Sequence, residues 1–91
     1  MTVRLLRIEG RVQGVGYRDW LRRQAQAAGL SGWVRNRPDG SVQALLAGPA
    51  AAVAATEAAC QRGPLLARVT AVQGEAAEAP AGAGFHKLAD G

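Results

Sequence analysis

The feature that most restricts how this chain can fold is a repeated switch in apolar spacing, between a period of two and a period near 3.6, with Gly or Pro at the changeovers. Residues 3–12 place Leu6, Ile8 and Val12 on one parity, opposed mainly by Leu5, Arg7, Glu9 and Arg11, which is the alternation of a half-buried strand. From about Asp19 to Ala28 the pattern becomes helical: Leu21, Ala25 and Ala28 recur at spacings of four and three, Arg22, Arg23 and Gln26 face elsewhere, and Gly29 supplies a stop. Leu30 to Asn36 and Ser41 to Ala47 are short β-compatible runs on either side of Arg37-Pro38-Asp39-Gly40, a turn signal that predicts a hairpin. Gly48-Pro49 opens an Ala-rich helix over residues 50–62, with Val53, Thr56 and Cys60 on one stripe and Gly63-Pro64 closing it. Residues 66–73 form another β-like run. A Gly/Ala/Pro/Glu-rich loop over 74–84 then leads to a short edge strand at 85–88.

Strand, helix, strand, strand, helix, strand is the order of the split βαβ, or ferredoxin-like, α+β sandwich, in which two helices cover one face of an antiparallel sheet. Its 91 residues suit one core, so residues 1–91 are expected to form a single domain. Hydrophobic residues make up 48% of the chain and charged ones 20%, enough apolar surface to offset the entropy of ordering the backbone. No apolar run approaches the roughly 20 residues of a membrane-spanning helix, and the first residues lack the apolar stretch of a signal peptide. A cytoplasmic protein with no membrane partner is expected.

Cys60 is the only cysteine, which excludes an internal disulfide, a Cys-rich metal site and a redox pair. The net charge of +4 favours an anionic partner: a phosphorylated metabolite, nucleic acid or an acidic lipid surface. The basic residues are scattered, and the aromatic ones do not interleave with them as a base-stacking platform requires, so nucleic acid is not the expected partner.

Two segments could carry chemistry. The first lies between the first strand and first helix, at Val12-Gln13-Gly14-Val15-Gly16-Tyr17-Arg18, where no Ser, Thr, Asp or Asn stands to cap the helix. Its first N–H groups therefore lack an obvious internal partner, and Gly14 and Gly16 leave the backbone open to a ligand. An anion would satisfy those donors, aided by the helix dipole and by Arg18, whose planar guanidinium can grip two oxygens of one phosphate. An isolated Gly-x-Gly with a surface arginine more often marks a plain turn, because so short a match is weakly specific. The second segment runs from Gly32-Trp33-Val34-Arg35-Asn36 to Gly48. Alone, Asn36 reads as a turn-starting asparagine. In a split βαβ unit, however, the first two strands are parallel with the third between them. Asn36 and the first loop then emerge at the same end of the sheet, about two strand spacings of 4.8 Å apart.

At these residues the sequence resembles the acylphosphatases. The family's first motif, Gly-x-Val-Gln-Gly-Val-x-Phe-Arg, is met by Gly10-Arg11-Val12-Gln13-Gly14-Val15-Gly16-Tyr17-Arg18, with Tyr17 in the phenylalanine's place. The second, Gly-Trp-Val-x-Asn followed by x-x-x-Gly-x-Val and a later glycine, is met by Gly32, Trp33, Val34, Asn36, Gly40, Val42 and Gly48. The likeness covers residues 3–73 well and weakens through 74–84, and Ala47 stands where the family often has glutamate, a departure that bears on the rim electrostatics of the site.

The resemblance implies hydrolysis of an acyl phosphate to a carboxylate and inorganic phosphate by a monomer, without metal, cofactor or covalent intermediate. It assigns phosphate binding to the loop of Gln13, Gly14, Val15, Gly16 and Tyr17 with Arg18, and orientation of the attacking water to Asn36. A mixed anhydride has a good leaving group, so positioning and charge neutralisation suffice. Two other readings stay open: a non-catalytic anion-binding module, as in acylphosphatase-like domains of larger carbamoyl-phosphate-using proteins, and a ferredoxin-like nucleic-acid binder. His86 is expected at the surface and Cys60 in the core, with Trp20 and Trp33 buried against the sheet. Glu9 and Asp19 are not expected to form an acid/base pair.

Overall fold

The computed structural model describes residues 1–91 and contains seven elements: β1 (Thr2–Arg11), α1 (Tyr17–Ala27), β2 (Ser31–Asn36), β3 (Val42–Gly48), α2 (Ala50–Cys60), β4 (Arg68–Ala76) and β5 (Phe85–Lys87). They build one sheet in the order β4-β1-β3-β2-β5. The β1–β3, β1–β4 and β2–β3 pairs are antiparallel, as the ferredoxin-like reading requires. The short edge strand β5 adds to β2 in parallel, which makes the five-stranded sheet mixed.

Alternation along β1 survives intact: Leu6 and Ile8 are fully buried, while Leu5, Arg7 and Glu9 look out from the opposite face. Registers of Leu6 with Ala44 and of Ile8 with Val42 align the inward residues of β1 and β3, and Val34 on β2 completes the row. Helix α2 lies over β1 and β3, and α1 over β2 and β5, so one face of the sheet is covered and the other is bare. A bidentate pair of Arg4 with Glu57, at 3.0 and 3.1 Å, fastens β1 to α2.

Helix α1 starts two residues earlier than its apolar spacing predicts, because Gly16 in the left-handed conformation acts as its N-cap. The buried stripe is accordingly Tyr17, Leu21 and Ala25, and Ala28 is exposed beyond the last turn. On α2 the stripe is Val53, Thr56 and Cys60, as the sequence indicates. Strand β4 begins after the exposed Leu65 and Leu66 and runs on to Ala76, past the start expected for the loop. Its extra length follows from the edge position: the residues after Gln73 gain pairing with β1 without needing a buried face.

Candidate active site

Antiparallel β3 between β1 and β2 brings the end of β1 and the end of β2 to one edge of the sheet. There a cleft of about 140 Å³ is lined by Val12, Gly14, Gly16, Tyr17, Arg18, Asp19, Asn36 and Lys87. Both segments singled out by the sequence therefore meet in one hollow. The hollow is open to solvent and has room for an anion of phosphoryl size.

The loop that enters α1 is shaped by backbone conformation. Gly14 and Gly16 have φ of 74° and 79°, a region that favours glycine, and a side chain added at either would meet no protein atom within 4 Å. Their need for glycine is thus conformational, not a matter of room, and the alternation of backbone hands builds a concave set of N–H groups. No side chain caps the helix, and the first bond onto the loop runs from Trp20 N–H to the Gly16 carbonyl at 3.0 Å. The N–H groups of residues 14–18 have no acceptor within the protein.

The side chains around this loop divide into supports and free groups. Gln13 spends its amide on structure: Nε2 donates to the carbonyls of Arg37 and Ser41, both at 2.8 Å, and so latches the loop to the β2–β3 turn. Val15 packs against the core from the loop's middle. Tyr17 is 1% exposed, and its hydroxyl donates to the Cys60 carbonyl at 2.8 Å, with its ring 5.3 Å from that of Trp20. Burial raises the Tyr17 hydroxyl pKa far above its usual value and pushes the Cys60 thiol up to about 11, so neither group ionises near neutral pH.

Asn36 is 8% exposed, and its side-chain amide makes no hydrogen bond within the protein, although it lines the cleft. The turn that asparagine could have started is made by Asp39 instead. Asp39 Oδ1 accepts from Ser41 N–H at 2.9 Å and from the Ser41 hydroxyl at 2.6 Å, while Gly40 N–H closes the turn on the Arg37 carbonyl at 3.1 Å. Those Ser41 bonds, and then Arg7 at 2.7 Å, hold the Asp39 carboxyl far below the ordinary range. Asn36 is thereby released from turn duty.

Arg18 Nη1 donates to the Leu88 carbonyl at 2.9 Å and lies 3.2 Å from Asp90, both on the segment that follows β5. Lys87 Nζ pairs with Asp19 at 3.1 Å on the cleft wall, which holds the Asp19 carboxyl below its usual value. Lys87, Leu88 and Asp90 were not legible as site residues, since no pattern in a short terminal strand fixes which element it will join. Ala47 lies at the opposite end of the sheet, paired with Val3 and Ser31, so its departure from the family pattern does not touch the cleft. Glu9 and Asp19 stay on separate elements, and exposed His86 turns its Nε2 toward the Ala83 carbonyl. Trp33 is only half-buried: it lies on the bare face with the Arg35 guanidinium 5.0 Å over its ring.

The family model described as Acylphosphatase matches residues 5–87. This chain belongs to the acylphosphatase family. An acylphosphatase from Acidiphilium cryptum is 52% identical over 91 residues, covering all of both chains. The crystal structure of acylphosphatase from Bacillus subtilis superposes with a TM-score of 0.91 at 32% identity, covering 97% of this chain and 99% of that one. A full-length HypF structure in a phosphate- and nucleotide-bound form shares the fold alone, at TM-score 0.89 and 24% identity, with 12% of that chain covered. The protein is accordingly an enzyme that hydrolyses acyl phosphates, a class of small-molecule substrate.

A second hollow, about 300 Å³, lies on the bare face and is lined by Leu5, Arg7, Gln43, Gln73 and Glu75 among others. It is larger than the cleft at the end of β1 and β2, but its cations are already engaged, Arg7 by Asp39 and Ser41 and Arg37 by the Gly91 carbonyl.

Proposed function

We propose that the phosphoryl group of the acyl phosphate sits on the N–H groups of residues 14–18 and is gripped by Arg18, with Asn36 orienting the attacking water. The observation that carries this reading is the convergence, in one small cleft, of backbone donors without acceptors, an arginine with free donors and an asparagine amide with no other partner. Gln13 serves as the latch that keeps the loop in shape, and Val15 and Tyr17 anchor it to the core.

In the reaction, the water oxygen attacks phosphorus as the bond from phosphorus to the acyl oxygen breaks. The carboxylate leaves with that electron pair, and the water's proton passes to the phosphate or to solvent. Donors fixed before the reaction stabilise charge building on the equatorial oxygens without reorganising. We take the step to be metal-independent, with the charge of the phosphoryl group met by the backbone N–H groups and the Arg18 guanidinium. No helix is long and apolar enough to cross a membrane. We take residues 1–91 to act as one domain and as a monomer in the cytoplasm. Release of phosphate from benzoyl phosphate by purified protein in EDTA tests the reading. Turnover that persists in the chelator supports it, and loss that zinc or magnesium restores overturns the metal-free step.

A further inference from the structure

We propose that Asp90 is a positioning residue for Arg18, turning the forked edge of its guanidinium toward the phosphate loop. This rests on the reading of Arg18 as the phosphate ligand. A guanidinium carries five N–H donors, two of them on Nη1. Here Nη1 donates to the Leu88 carbonyl at 2.9 Å and stands 3.2 Å from the Asp90 carboxylate as an ion pair, while Nε and Nη2 make no hydrogen bond within the protein. The free donors include the Nε–Nη2 pair, two parallel N–H groups of the kind that grips a carboxylate or phosphate through two oxygens.

The segment bearing Asp90 is itself fixed to the site. Leu88 N–H donates to the Val34 carbonyl at 2.8 Å and Gly91 N–H to the Asn36 carbonyl at 3.0 Å, which prolongs the β2–β5 pairing along β2 as far as Asn36. Arg37 Nη1 donates to the Gly91 carbonyl. One strand edge thus sets the backbone of Asn36 and, through Leu88 and Asp90, the side chain of Arg18. Asp90 is 70% exposed against 23% for Arg18, so the carboxylate sits at the rim while the cation is confined beneath it. An anion competing for the site would take the fork. Asp90 reaches only Nη1 and leaves the fork open.

The test measures the phosphate inhibition constant, and KM and kcat with benzoyl phosphate, for wild type, Asp90→Ala, Asp90→Asn and Arg18→Ala. For an ion pair at the rim, Asp90→Ala should raise both the inhibition constant and KM about two- to fivefold, with kcat changed less. Asp90→Asn removes the charge while keeping the shape and should behave like Asp90→Ala. The difference should fade in roughly 1 M salt, where exposed pairs are screened. An unchanged inhibition constant in Asp90→Ala overturns the proposal, and a lower one does so by showing that Asp90 competes with phosphate. Thermal midpoints that fall in step with the constants across both Asp90 variants also overturn it, since they would mark a merely structural role. If Arg18→Ala leaves phosphate inhibition intact, the site reading itself fails. If Arg18→Ala abolishes inhibition but Asp90→Ala does not move it, only this inference fails.

Discussion

Asn36 ends β2 with its side-chain amide unpaired at the cleft, while its backbone stays in the β3 ladder at Val42. Asn36→Ala should therefore leave the phosphate loop in place. Competitive inhibition by inorganic phosphate is expected to persist while kcat falls about 10²–10³-fold, the cost of losing one donor that acts in the transition state. Phosphate inhibition lost together with kcat would show that Asn36 binds the phosphoryl group instead of placing the water. On the proposed reading Arg18 presents the opposite case, its fork serving binding and turnover alike. Arg18→Lys keeps the charge but loses the two parallel donors, so kcat/KM should drop on the order of 10–100-fold, the worth of a charge-assisted bond. Near wild-type kcat/KM in Arg18→Lys would mean that charge alone suffices. Arg18 could be picked out of the sequence beside a helix start without a cap, whereas Asn36 alone reads as a turn-starting asparagine and stood out only through the split βαβ topology and the family motif. Gln13 could not be sorted into its role as a latch, since its partners are the carbonyls of Arg37 and Ser41, more than twenty residues away.

Helices α1 and α2 meet through the Tyr17 hydroxyl and the Cys60 carbonyl, at the base of the phosphate loop and the last turn of α2. The carbonyl belongs to a helix C-terminus, where backbone acceptors lack intrahelical partners, so the hydroxyl satisfies an acceptor that phenylalanine would leave bare. Tyr17→Phe should cost about 1 kcal/mol and lower the thermal midpoint by roughly 4–8 °C, measured by circular dichroism with the folded spectrum retained. An unchanged midpoint would show that water serves that carbonyl equally well. Periodicity made most elements legible: the parity of Leu6 and Ile8 and the stripe of Val53, Thr56 and Cys60 are physical requirements of burying one face. What it could not show was where edges go. β5 has only three residues, Phe85–Lys87, and its parallel pairing with β2 depends on which strand edge is free, a property of the assembled sheet. For the same reason the site lacked Lys87 and Asp90 until the tertiary structure supplied them.

Across the whole molecule, the bare face of the sheet is tied to the hairpin by charge as well as by pairing: Arg7 on β1 donates to the Ser41 hydroxyl and pairs with Asp39 beyond the end of β2. Asp39 gains two hydrogen bonds from Ser41 and a cation in the folded state, and its pKa lies below the unfolded value near 3.9. A carboxylate with a depressed folded pKa contributes stability that is fully present above its unfolded pKa and is lost as pH falls through the folded one. Asp19, lowered chiefly by Lys87, acts in the same direction. Wild type should therefore lose thermal stability progressively below about pH 4. Asp39→Asn keeps an acceptor for Ser41 but cannot ionise. Its midpoint should lie below wild type at pH 7, decline less between pH 4 and pH 2, and approach the wild-type curve at the acid end. Thermal melts at half-unit steps over that window measure this. Two parallel curves with a constant gap would mean that Asp39 stabilises the turn through shape and hydrogen bonding alone, with no part played by its charge.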